Sequence, residues 1–166
     1  MPTSDRPYVR SSNYVLELRD AVNTAAPKLL ALGDASATRP APGKWSPREI
    51  IGHLVDSATN NYGRIVRGQL QDDLVFPGYA QNEWVRIGRY QDAPWDELVT
   101  LWRTLNLQLA RMMEGTPENV RQRPRERHSF DVIGVPLMSG EAATLEHMMN
   151  DYVSHLKHHL RQIFPE

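Results

Sequence analysis

Cysteine is absent from this sequence, which removes disulfides, thiolate metal ligands and a cysteine nucleophile at once. A surplus of charge is also missing: 19 Lys and Arg stand against 20 Asp and Glu, for a formal net charge of −1. That balance offers no basic footprint for nucleic acid and no polybasic surface for a membrane. No apolar run approaches the ~18 residues that a membrane span needs. The first ten residues, MPTSDRPYVR, lack the apolar core of a signal peptide, so the cytoplasm is the expected compartment. Without thiolates, any metal must be held by His, Asp or Glu. Histidine itself is scarce, with six in 166 residues, yet three of the six fall within five positions of DYVSHLKHHLRQIF, residues 151–164.

What is present is helical periodicity. Residues 1–166 read as one domain, long enough to bury a core, with four long helical segments. The first runs from about Ser11 to Leu32, with Tyr14, Leu18, Ala21, Val22, Ala25 and Leu29 at helical spacing and Gly33 at the position of a C-terminal cap. In WSPREI, Ser46 is the N-cap, Pro47 the first helical residue and Glu49 the returning carboxylate of a capping box. This second helix should run to about Gly68. An irregular stretch follows, with a short helical turn expected near Glu83 to Ile87. The third helix opens at DAPWDEL, where Asp96 and Glu97 suit the positive end of the helix dipole. Leu98, Leu101, Trp102, Leu105, Leu109 and Met112 form its stripe, and Gly115 ends it. HSFDVIGVPL has the extended pattern of a short β-hairpin, and the fourth helix is expected from about Ser139 to Phe164. The sum is an all-α four-helix bundle with that hairpin before its last helix.

A helical wheel sorts the clustered histidines. Leu145, Met148, Met149, Tyr152, Val153, Leu156, Leu160 and Ile163 share one face of the last helix. His159 lies roughly 60° from the middle of that face, His155 sits at its edge on the same side, and His158 falls almost opposite. His155 and His159, at i and i+4, are one turn apart, near enough to share an ion. Two ligands are too few for a closed or catalytic site, so a third must come from another helix. His53 is the candidate. It shares a polar stripe with Ser57, Asn60, Asn61 and Arg64, which is either a solvated face or the lining of a cleft between helices. Periodicity does not choose between the two.

At these residues the chain resembles the DinB/YfiT-like superfamily of small four-helix metal-binding proteins. The resemblance is carried by GKWSPREIIGHLVDSATNNYGRI, residues 43–65, and MMNDYVSHLKHHLRQI, residues 148–163. In that family a Trp-Ser capping segment leads into a helix with one ligand histidine, and a later helix carries His-x-x-x-His followed closely by Gln-Ile. Trp45-Ser46, His53, His155 with His159, and Gln162-Ile163 match these pieces. The resemblance implies that His53, His155 and His159 hold a divalent ion such as zinc or nickel. It also implies an enzyme acting on a small molecule: a metal-dependent hydrolase, or an S-transferase or isomerase using a low-molecular-weight thiol such as bacillithiol or mycothiol. A non-catalytic metal-binding or stress-response protein is the alternative, and a homodimer is compatible with either.

Several polar residues are candidates for supporting roles. Asp151, four residues before His155, is placed to orient it through a hydrogen bond, or is an ordinary helix-surface acid. Asp56, one turn after His53, offers the same choice. Glu83, in QNEW, is a candidate general base. Arg64 and Arg67 suit an anionic substrate or a thiol's carboxylate, with surface ion pairs as the alternative. His128 and His147 read as structural or exposed. Trp95 and Trp102 read as core, Trp45 as a hydrophobic staple at the start of the second helix, and Trp84 as a pocket residue.

Overall fold

Each long apolar stripe of the sequence becomes a helix in the computed structural model, which describes residues 13–166. The long helices are α1 (Tyr14–Ala31), α2 (Pro47–Leu70), α4 (Trp95–Gly115) and α7 (Leu145–Ile163). Between them lie the shorter α3 (Gln81–Gly88) and the single turns α5 (Glu118–Arg121) and α6 (Phe130–Ile133). The expected start of the first helix, Ser11, lies outside the described residues. α1 packs on α4 and α7, and α2 packs on the same two, so the four long helices close a ring. One continuous apolar cluster fills it, with Leu18, Leu29, Ile51, Leu54, Ile65, Trp102, Leu109, Met148 and Leu156 almost entirely removed from solvent. Each such side chain contributes roughly 1.5–3 kcal/mol of transfer free energy, before the entropy of ordering it is subtracted.

The ends of α2 are set by local chemistry at both termini. Ser46 Oγ accepts from the Glu49 amide at 3.2 Å, while the Glu49 carboxylate accepts from the Ser46 amide at 2.8 Å and completes the capping box. At the other end, the buried Arg125 guanidinium donates to the Gly68 and Gln71 carbonyls, both at 3.1 Å. These carbonyls have no intrahelical partner, and a cation there also suits the helix dipole.

Two expectations are corrected. No β-strand occurs among the described residues, and the hairpin expected in residues 128–137 is absent. Its extended start makes one isolated parallel bridge, Leu74 with His128, after which Phe130–Ile133 turn helically. Gly134, at φ 75°, closes that turn, and a left-handed residue there suits a helix stop rather than a continuing strand. The last helix begins at Leu145 instead of Ser139. Thr144 is its N-cap, extended at φ −128° and ψ 157° and accepting from the His147 amide at 3.0 Å, so the helix cannot continue back through it.

Candidate metal centre

α2 and α7 run antiparallel, so Gly68 faces Leu145 at one end and His53 faces His155 at the other. His53 is fully buried, and Ser57, Asn61 and Arg64 of its stripe are buried with it, Asn60 only partly, so the stripe is not a solvated face. Its Nε2 lies 3.3 Å from His155 Nε2, which lies 3.1 Å from His159 Nε2. One nitrogen from each ring falls within 4.8 Å of the other two. Among the described residues this is the one group of three or more such side chains able to hold an ion. The spacing suits the purpose, because nitrogens bound tetrahedrally at 2.0–2.1 Å stand about 3.3 Å apart. His159 Nδ1 lies 2.9 Å from Gln162 Oε1. A proton on Nδ1 donates to that oxygen and leaves the Nε2 lone pair for the centre. His158 stays outside the cluster, as the wheel indicated, with its ring against His159 and Gln162.

Trp45 walls the site, its ring 5.0 Å from that of His53 and 6.5 Å from that of His159. Beyond it opens a cavity of about 260 Å³ lined by Trp45, Arg39, Glu49, Tyr90 and Arg86 among others. From the lining of that cavity, the Tyr90 hydroxyl donates to Asp56 Oδ1 at 2.5 Å. The Tyr90 ring reaches Asp56 through a slot made by two glycines. A Cβ on Gly52 would overlap the ring, and one on Gly88 would approach its Cε2 to 2.6 Å. Burial holds the Asp56 carboxyl above its ordinary value, partly offset by the Tyr90 hydrogen bond. Burial, then the hydrogen bond to Asp56, raises the Tyr90 phenol. Tyr79 is pushed up to about 12 by burial, against the pull of Arg64.

The other expected site residues are scattered. Asp151 is buried on α7, one turn before His155. Glu83 is exposed on α3, bound to Arg86 at 2.7 Å, and belongs to no cluster with the histidines. Arg64 is buried and Arg67 exposed. His147 is buried, its Nε2 2.6 Å from the Pro136 carbonyl, and Trp95 and Trp102 lie in the core. Trp84 is 39% exposed and packs on Tyr79. Sequence reasoning missed Tyr90 and its two glycines. The available signal was Gly52, because a glycine inside a helix costs up to about 1 kcal/mol and calls for a packing reason.

The family model of the DinB superfamily matches residues 18–163. The chain belongs to the DinB superfamily. A relative from Geobacillus thermodenitrificans (strain NG80-2), named "Putative metal-dependent hydrolase", is 25% identical over 150 residues, spanning 90% of this chain and 78% of that one. Among solved structures, YfiT from Bacillus subtilis superposes with a TM-score of 0.74 at 19% identity, covering 95% of this chain and 87% of YfiT. YfiT is described as "a probable metal-dependent hydrolase with an unusual four-helix bundle topology". At that identity the likeness is one of fold, and this DinB chain shares the bundle.

Proposed function

We propose that this protein is a metal-dependent hydrolase of a small molecule, using one divalent ion held by His53, His155 and His159. The observation that carries the reading is the convergence of three imidazole nitrogens, from two helices, at separations that ligands of one ion adopt. The name of the Geobacillus relative supports the reaction class. A donor set of nitrogen without thiolate suits zinc or nickel. When bound, such an ion supplies Lewis acidity, polarising a carbonyl and lowering the pKa of water.

The protein's own residues prepare the site for that chemistry. Gln162 holds the His159 tautomer, and Trp45 shields the His53 and His159 rings from bulk water. Asp151, buried one turn from His155, is assigned as a positioning carboxylate for that ring. Three protein ligands leave coordination positions free for substrate. A thiolate could take such a position, so transfer to a low-molecular-weight thiol is the reaction that the assay must separate from hydrolysis.

Elemental mass spectrometry after dialysis against zinc or nickel tests the centre. One ion per chain is expected, lost in His53→Ala and His159→Ala and kept in His158→Ala, whose ring lies outside the cluster. Asp151→Asn should weaken the metal roughly 10- to 100-fold. Retention of stoichiometric metal by both His53→Ala and His159→Ala would reject the site. Ester and amide hydrolysis by the loaded protein, with and without added thiol, then separates the two reactions.

A further inference from the structure

Arg64 lies on the same face of α2 as His53. Eleven residues at about 100° each return it to within roughly 20° of the histidine's direction, three turns further along. Helical side chains lean toward the N-terminus, so Arg64 reaches back along this face toward the histidines. Its surroundings are not those of a surface ion pair. The residue is 6% exposed, and Nη2 donates to the Pro77 carbonyl at 3.2 Å. No carboxylate pairs with it among the described residues, and the titratable group it chiefly feels is the Tyr79 phenol. Nε and Nη1 make no protein hydrogen bond, yet neither is sealed from solvent. A buried cation without a counter-charge is costly, and donors left reachable on it are available to a ligand.

The stretch after α2 doubles back to cover this face. Pro77 meets Arg64, while the half-buried Tyr79 lies within reach of the fields of Arg64 and Asp56 and beside Ser57. Tyr79 is braced by Trp84, with ring centres 5.0 Å apart. We propose that Arg64 and the Tyr79 hydroxyl bind a carboxylate of the substrate, on the face of α2 that also carries His53. A guanidinium fork matches a carboxylate, and one guanidinium with one phenol balances a single negative charge. A doubly charged phosphate would call for a second cation. The next one, Arg67, is exposed and folded over Gly63, and Asp56 adds negative charge on the near side. Three helical turns, shortened by the backward reach of the long Arg64 side chain, set the carboxylate on the order of 10 Å from the histidine nitrogens. That separation selects a small acid of about the length of an acylated amino acid or dipeptide.

This rests on the proposed hydrolytic centre for where the reacting bond lies, but the carboxylate site itself is testable without metal. Metal-free protein is titrated calorimetrically with N-acetylglycine, its neutral amide N-acetylglycinamide, and inorganic phosphate. The acid should bind saturably and the amide roughly tenfold more weakly or worse, with phosphate weaker than the acid. Arg64→Gln should weaken the acid roughly tenfold and Tyr79→Phe about threefold, both with unchanged metal content when loaded. Equal binding of acid and amide by the wild type, or no saturable binding of the acid, overturns the proposal without needing any variant to fold. Tighter binding of phosphate overturns the assignment to a monoanion, and unchanged affinity in folded Arg64→Gln overturns the residue's role. Loss of the histidine centre would show in the metal content and leave these titrations unmoved, so the two readings fail separately.

Discussion

Glu49 shows how much one residue does at the start of α2. Its carboxylate accepts from the Ser46 amide and from Arg39 Nε at 2.9 Å and Nη2 at 2.5 Å. The Arg39 hydrogen bond, first among several causes, holds its pKa below the ordinary 4.5. A folded-state pKa below the unfolded one means stability that is complete above the unfolded value and lost as pH falls through the folded value. Glu49→Gln should therefore lower Tm by roughly 2–4 °C at pH 7. Arg39 is solvent-exposed, so screening keeps the effect small. The difference from the wild type should disappear in acid below the folded-state pKa of Glu49. Thermal unfolding followed by circular dichroism across pH 3 to 7 measures this, and a difference that grows in acid contradicts it. Because Glu49 is four residues before His53, the same cap fixes the start of the helix that presents the histidine.

At the scale of elements, the join between α2 and the turn at Tyr90–Asp92 is made by shape. Gly52 and Gly88 leave the space that the Tyr90 ring fills, and the ring carries its hydroxyl to Asp56. Gly52→Ala forces the ring out, and overpacking of this kind costs about 1–3 kcal/mol. A fall in Tm of roughly 2–10 °C is expected. Gly115→Ala, where an added Cβ meets nothing within 4 Å, should leave Tm unchanged or raise it slightly. Equal Tm values for wild type and Gly52→Ala would mean that the slot is not tight. Capping signals announced the starts of α2 and α7 with different clarity. Ser46-Pro47 with Glu49 is a complete signature, whereas Thr144 sits in a run of small and polar residues where several starts were compatible with the pattern.

For the whole molecule, the histidines join helices that neighbouring sequence does not. His53 belongs to α2 while His155 and His159 belong to α7, so an ion held by all three would bridge the two helices. Ligand bound only by the folded state stabilises it by about 2.7 kcal/mol at a hundredfold excess over Kd. Zinc or nickel should accordingly raise Tm by roughly 5–10 °C for a chain of this size. His159→Ala should abolish the rise and His158→Ala should keep it. A rise that survives in His159→Ala would place the ion elsewhere. Among the described residues no helix is long and apolar enough to cross a membrane, in keeping with the modest apolar runs.

Local physics explains what could be read from the chain alone. Apolar residues at helical spacing determined four long helices, and the angular position of His155 and His159 against His158 separated the paired histidines from their neighbour. The short segments were less legible, because residues 128–137 have strand-like composition but are turned by Gly134. Tertiary structure alone decided whether the polar stripe of α2 faced water. Burial depends on which helix packs opposite, and α7 covers His53, while the stretch after α2 covers Arg64. The same holds for Tyr90, 34 residues from Asp56 in sequence yet within hydrogen-bond reach of it. Spacing along one helix is set by its own geometry, whereas contact between distant segments is set by the packing of all of them.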